Sequence, residues 1–107
     1  MRKTSKRLFA LAMIIQLTPV SAAPDTARQT ELLYLLKHDC GSCHGMTRKG
    51  GLGPALLPEN IRARPTPLMV NTVLDGRPGT PMPPWRGELS EQDARWLIDA
   101  MQKGEGL

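Results

Sequence analysis

The run Cys40-Gly41-Ser42-Cys43-His44 constrains this chain more than anything else in its 107 residues. Two thiols three positions apart, followed at once by an imidazole, form C-x-x-C-H, the pattern through which a haem is attached to a polypeptide. The spacing has a physical basis. The thiols add to two vinyl groups on one edge of a porphyrin, and the next residue then lies under the iron, where its ring nitrogen can donate. Other uses of the pair fit less well. A thioredoxin-like redox site needs a surrounding βαβ pattern, and none is readable here. A zinc site needs further ligands; these are the only two cysteines, and the one other histidine, His38, sits too close in sequence to complete a tetrahedron. His38 reads as a surface residue at the end of the first helix. A plain disulfide suits an exported chain but leaves His44 without a purpose.

The N-terminal residues point to export. Arg2, Lys3, Lys6 and Arg7 precede the apolar run Leu8 to Leu17, broken only by Gln16; Pro19, Ser21, Ala22 and Ala23 follow. This is the layout of a secretory signal peptide, too short to span a bilayer comfortably. Cleavage after Ala22 is expected. Residues 1–22 are then the leader and 23–107 a single domain, delivered to the periplasm with no membrane attachment left. Thiol attachment of haem takes place outside the cytoplasm, so leader and motif support each other.

Removing the leader changes the charge argument. The chain has 14 basic and 10 acidic residues. The leader takes four of the basic ones and no acidic one, so the mature domain is balanced. Its basic character is therefore no evidence for a nucleic-acid partner. Core material is scarce as well. Phe9 leaves with the leader, and Tyr34, Trp85 and Trp96 are the only aromatics that remain. A domain this small usually needs a staple or a cofactor, and a flat apolar haem supplies core that the side chains do not.

No segment alternates like a strand. Residues 23–28 read as a polar leader to the domain. Gln29 to Lys37, with Leu32, Leu33, Leu35 and Leu36, reads as the first helix. Lys49 to Pro58 is loop, rich in Gly and Pro. Glu59 to Ala63 suits a short helical turn. Leu68 to Leu74 has helical spacing, with Pro67 in its first turn and Gly76 as its stop. Arg77 to Gly87 holds four prolines and is irregular. Ser90 is a natural N-cap for a last helix with Ala94, Leu97, Ile98 and Met101 on its apolar face, ended by Gly104. The class is all-α: three to four helices and long Gly/Pro loops wrapped around one covalent haem.

These pieces, in this order, resemble the class I cytochrome c family across nearly all of the mature chain. The matching residues are Cys40 to Gly45, Gly51-Leu52-Gly53-Pro54-Ala55-Leu56, Val73-Leu74-Asp75-Gly76, Pro81-Met82-Pro83-Pro84-Trp85 and Leu89-Ser90. The resemblance implies that Pro54 offers its backbone carbonyl to the N–H of His44, which fixes the tautomer and orients the ligand. The stretches Asp39 to Gly45, Gly50 to Leu56 and Gly76 to Trp85 are further similar to the cytochrome c55X, or NirC, group. That group is associated with cytochrome cd1 nitrite reductase in denitrifying bacteria and with making its haem d1. One departure stands out. Family members often pack an aromatic of the last helix against one of the first. The corresponding positions here hold Ala100 and Leu36, with Trp96 and Tyr34 displaced from them.

Four methionines remain as candidates for a sixth iron ligand. Met46 follows His44 too closely to reach the opposite ring face. Met69 and Met101 lie on apolar helix faces and read as packing. Met82 lies between Pro81 and Pro83 in a segment without regular structure, where prolines hold the loop open and rigid. Met82 is therefore the expected axial partner of His44; the competing reading is a loop methionine packed near the haem. His/Met ligation raises the reduction potential. It also leaves no open coordination position, so the expected role is electron transfer and not catalysis. Trp85 covers the haem edge or belongs to the core. Arg77 and Arg86 pair with propionates, ring a docking face, or are solvated charge. The leading expectation is a one-electron carrier in nitrite respiration with cytochrome cd1. A redox role in haem d1 biogenesis is the alternative, and a ligand-binding haem sensor ranks after it.

Overall fold

The computed structural model describes residues 13–17 and 23–107. Of the expected leader only residues 13–17 are therefore described. They have no regular structure and leave Ile14 and Leu17 exposed, so they add nothing to a core. The rest of the leader and the cleavage position after Ala22 lie outside the described residues.

The domain is helical, with no strand among the described residues. Helix α1 (Thr26–Leu35) runs directly into a π-helical turn (Leu36–Cys40) and a one-turn helix α2 (Gly41–His44). Helices α3 (Pro58–Ile61), α4 (Thr66–Asp75) and α5 (Glu91–Lys103) follow. The first helix thus begins earlier and continues further than its apolar spacing suggests. Its start is set by Asp25, whose carboxylate accepts from the Arg28 N–H at 2.8 Å. That places most of the polar segment 23–28 at or inside the helix start.

The other helix ends fall where local chemistry puts them. Pro67 sits in the first turn of α4, and Gly76 closes it with φ 68°. Ser90 and Asp93 form a reciprocal capping box at the start of α5: the Asp93 N–H donates to Ser90 Oγ at 3.0 Å and the Ser90 N–H to Asp93 Oδ2 at 3.1 Å. Such a cap satisfies two of the orphan donors of a first turn. Gly104 ends α5 in the left-handed conformation.

Helices α1, α3 and α4 all pack on α5. The core they share is aliphatic: Leu32, Leu36, Ile61, Val70, Leu74, Leu97 and Ile98, with Met69 and Met101. Burial of each such side chain is worth about 1.5–3 kcal/mol. Leu36 and Ala100 are both buried, whereas Tyr34 is exposed and Trp96 only half-buried. An aliphatic packing therefore replaces the aromatic pair, and Tyr34 instead lies against the exposed ring of His38, centroids 4.2 Å apart. At the edge of this core Arg28 of α1 grips Asp93 of α5, donating from Nη2 at 2.9 Å. It also donates to the Glu88 carbonyl at 3.1 Å. The last helix is thereby tied to the first across the site-bearing loops.

Candidate haem site

The cysteine-bearing segment is positioned by the π-helical turn. Its closing bond runs from the Gly41 N–H to the Leu36 carbonyl, five residues back. Such wide turns often mark functional positions in helices. The turn ends on Cys40, which packs against the aliphatic core while Cys43 stays half-buried. Three residues apart on continuous helix, the two side chains share a face. Both are free thiols, with no bond between them. Burial, and then the neighbouring Asp39, push the Cys40 thiol up to about 11. That is opposite to the depressed values of reactive C-x-x-C redox pairs. Among the described residues no group of three or more His, Cys, Asp or Glu side chains is placed to hold a metal ion, so a zinc site finds no support.

His44 closes α2, and the chain then doubles back on it. The Gly50 N–H donates to the His44 carbonyl at 2.9 Å and the Gly53 N–H to the Cys43 carbonyl at 2.8 Å. This return brings the Pro54 carbonyl to 2.7 Å from His44 Nδ1. A carbonyl only accepts, so Nδ1 carries the proton and the Nε2 lone pair is left for an external partner. Two glycines make the approach possible. A Cβ at Gly53 would stand 2.7 Å from Cε1 and Nδ1 of the His44 ring, and one at Gly51 would stand 2.7 Å from the Cys43 carbonyl oxygen.

One residue of this loop was not foreseen. Arg48 is buried at 2 % exposure, with a positive φ of 58°. Its Nη2 donates to the Glu105 carbonyl at 2.6 Å, just past the end of α5. A basic residue between Thr47 and Lys49 in a glycine-rich loop looks solvated in sequence; only the return of the chain end covers it.

Met82 is carried by a separate segment, the α4–α5 connection. Its carbonyl accepts from the Arg77 N–H at 3.2 Å. The loop is stitched to the end of α4 by the Trp85 N–H on the Val73 carbonyl at 3.2 Å and the Arg86 N–H on the Leu74 carbonyl at 3.1 Å. Gly76 sits directly under it: a Cβ there would meet the Pro83 carbonyl carbon at 2.7 Å and the Met82 oxygen at 2.8 Å. Met82 is half-buried, whereas Met69 and Met101 are core and Met46 is 53 % exposed. Trp85 is half-buried against the core cluster. Arg86 pairs with Asp75 at 2.7 Å, both well exposed, so its charge is spent within the chain. Arg77 is exposed.

The donor set fits a covalently attached haem. Two unpaired thiols lie on one helical face, an imidazole is oriented through its far nitrogen, and a half-buried thioether sits on a stitched loop. Two surface clefts lie apart from these residues. One, of about 460 Å³, is bordered by Arg95, Trp96 and Gln102. The other, of about 360 Å³, is bordered by Lys37, Met46 and Lys49.

Comparison with known proteins finds cytochromes among those similar to this chain. A family model described as cytochrome c oxidase, cbb3-type, subunit III matches residues 27–99. Cytochrome c55X of Pseudomonas aeruginosa is 60% identical over 82 residues, covering 77% of this chain and 69% of that protein. The solved structure of the c-type cytochrome NirC is similar with a TM-score of 0.76 at 58% identity, covering 78% of this chain and 98% of that one. Dihydro-heme d1 dehydrogenase of P. aeruginosa is 35% identical over 92 residues, 86% of this chain but only 18% of that protein.

Proposed function

The chain belongs to the c-type cytochromes of the cytochrome c55X, or NirC, group, with covalently bound haem c, and from that premise we propose that it is a periplasmic one-electron carrier whose haem is held by Cys40 and Cys43 and ligated by His44 and Met82. The observation that carries this reading is the 2.7 Å contact between His44 Nδ1 and the Pro54 carbonyl. A histidine held in this way presents one lone pair in one direction, as an axial ligand requires.

When bound, haem c supplies a one-electron ferric/ferrous couple. The residues of this chain do the rest. The Pro54 carbonyl keeps the proton on Nδ1, so His44 binds as a neutral donor through Nε2. Gly53 keeps side-chain bulk off the ring, and Gly51 keeps it off the Cys43 carbonyl. The Met82 thioether is a soft donor that favours the ferrous state and raises the potential. Pro81, Pro83 and the bonds to α4 present it with little entropy left to lose. With His44 and Met82 both holding the iron, the haem would offer no coordination position to a substrate, as an electron carrier requires and a haem enzyme or ligand sensor does not.

Electron transfer in denitrification is the setting. Within it we place the chain in the periplasm, as a donor to cytochrome cd1 nitrite reductase. The basic and apolar N-terminal residues support export, and no helix among the described residues is long and apolar enough to cross a membrane. A second reading, a redox partner in haem d1 biogenesis, draws support from the likeness to a short part of dihydro-heme d1 dehydrogenase. Stopped-flow mixing separates them. The ferrous protein is expected to reduce cytochrome cd1 within the enzyme's turnover time. Failure to do so, together with reduction of the ferric protein by the dehydrogenase and its substrate, favours the second.

A further inference from the structure

Arg48 carries three energetic costs at once, and nothing in the proposed ligation accounts for them. Among the described residues it is the one non-glycine residue with positive φ, 58°. The same loop fills its other positive-φ positions with Gly45 and Gly50, which adopt them without steric penalty. Arg48 is also buried at 2 % exposure, with no carboxylate paired to it among the described residues. Burial pulls its guanidinium below the usual range, yet a guanidinium keeps its proton in proteins, so a charge is buried. Its Nη1 has no hydrogen-bond partner. A residue held at such cost persists only where its surroundings over-determine it.

The bonds that Arg48 does make show what holds it. Its N–H donates to the Gly45 carbonyl and its carbonyl accepts from the Leu56 N–H, both at 2.9 Å. Gly45 follows His44, and Leu56 lies two residues beyond Pro54. The backbone of Arg48 therefore closes the loop whose two ends are the histidine and its carbonyl partner. The side chain leaves the loop, with Nη2 donating to the Glu105 carbonyl at 2.6 Å. Glu105 is itself fixed, its N–H donating to the carbonyl of buried Ala100 in α5 at 2.9 Å. Among the described residues, every other hydrogen bond of residues 46–56 stays within the loop or returns to Cys43 and His44. The guanidinium is thus the one hydrogen-bonded tether between this loop and the helical core.

We propose that Arg48 is a positioning residue for the axial histidine: through Glu105 it pins the attachment loop to α5 and so holds the Pro54 carbonyl on His44 Nδ1. The proposal rests on the ligation of iron by His44 proposed above. A carbonyl on the Nδ1 proton makes the imidazole a stronger donor, and a stronger donor favours ferric iron. A loop cut from α5 keeps its own turns but drifts relative to the histidine ring, and the Nδ1 proton opens to water.

The test uses the ferrous holoprotein. Exchange of the His44 Nδ1 proton with solvent, followed by NMR, reads the Pro54 bond directly. Arg48→Asn removes the guanidinium and leaves a residue that tolerates the left-handed conformation. Asp93→Asn, at the opposite end of α5, is the control for lost stability. Each protein is measured the same interval below its own unfolding midpoint. Exchange about tenfold faster in Arg48→Asn than in the control is expected, the scale of one lost hydrogen bond. Arg48→Lys keeps the charge without the planar fork. It too is expected to exchange faster than the control, with a raised midpoint potential, and it decides the matter if the asparagine variant does not accumulate with haem. Exchange no faster than in the control overturns the positioning role. A potential that falls in Arg48→Asn without faster exchange overturns it as well and makes Arg48 a fixed charge. Faster exchange in Arg48→Lys with an unmoved potential overturns its bearing on the iron. Upfield shifts of the His44 ring C–H protons, caused by the haem ring current, identify the ligand in the parent. Their absence there counts against the ligation alone and leaves the exchange comparison standing.

Discussion

The two segments proposed to face the iron are built on different principles. On the His44 side the ligand is held through its own ring. The Pro54 carbonyl meets Nδ1 at 2.7 Å, Gly53 lies in contact with the ring, and two backbone bonds return the loop to Cys43 and His44. On the Met82 side no hydrogen bond among the described residues holds the side chain itself. Only the backbone is held, by bonds to α4 and by the close pass over Gly76. The first design fixes a direction of donation; the second fixes a position and leaves the thioether to be held by the iron. On the proposed ligation, two ligands secured so unequally should part first on the Met82 side under any stress, and the protein can be taken apart one side at a time.

The largest effect lies on the cysteine-histidine side. Replacing Cys40 and Cys43 together by Ala is expected to abolish covalent haem. Acid–acetone extraction would then strip all colour from the variant and none from the parent. Extractable haem in the parent protein would undo the whole comparison.

The next effect separates ligand from packing. Met82→Ala is expected to remove the methionine-to-iron charge-transfer band, lower the potential and admit carbon monoxide to ferrous haem, with helix content preserved. Met69→Ala, at a buried core position, is expected to leave the band intact and cost about 2–5 kcal/mol in chemical denaturation. The reverse pattern would assign the ligand to α4 and remove the proposed role of the proline loop.

Much of this contrast was legible before any coordinates. The ends of α4 and α5 were readable because Pro67, Gly76, Ser90 and Gly104 act within one turn of where they stand. The separation of Met82 from Met69 and Met101 was readable because proline flanks and helical spacing are local too. The start of α1 was missed because the segment 23–28 is polar throughout, although Asp25 three residues ahead of Arg28 is a capping signal. The π-helical turn was missed for a deeper reason. Apolar spacing over Leu32 to Cys40 does not distinguish a bond to the fourth preceding residue from one to the fifth. The burial of Arg48 involves Glu105, 57 residues later, and no local pattern carries that. Leu36 and Ala100 were visible as a departure from the aromatic pair, but only packing shows that both are buried and that Tyr34 turns out to solvent.

A sharper test compares two glycines of the Met82 segment. Gly76 and Gly79 both have positive φ, 68° and 78°. An alanine at a left-handed position costs about 1–2 kcal/mol, and at Gly76, whose ψ is −169°, the backbone lies in a region essentially confined to glycine, so the strain there is greater. They differ in surroundings. A Cβ at Gly79 meets nothing within 4 Å, whereas one at Gly76 meets loop backbone at 2.7 Å. Titration of the ferric protein with imidazole, which competes with a detached thioether, reads the difference. Gly79→Ala is expected to raise the apparent imidazole affinity by about thirtyfold at most, and Gly76→Ala by clearly more. Equal effects would mean that the close pass over Gly76 does not hold Met82 in place.

The smallest effect concerns the part of the fold that serves neither ligand directly, the grip of Arg28 on Asp93. The Arg28 guanidinium, donating to the carboxylate, holds Asp93 below the usual carboxylate range against the opposing effect of burial, with the Ser90 N–H assisting. A carboxyl group whose folded value is depressed stabilises the fold at pH above its unfolded value of about 3.9. That contribution is lost as pH falls through the depressed folded value, because the unfolded chain takes up the proton first. Asp93→Asn should therefore flatten the fall in denaturant midpoint with acid. Near neutral pH it should cost about 1–2 kcal/mol, the scale of a lost helix cap. The variant should keep both the methionine-to-iron band and the imidazole affinity of the parent until it unfolds. If the band weakens at pH values where the helices are intact, the contact between α1 and α5 is not independent of the ligand loops. The two sides of the haem would then be coupled through α5, not secured separately.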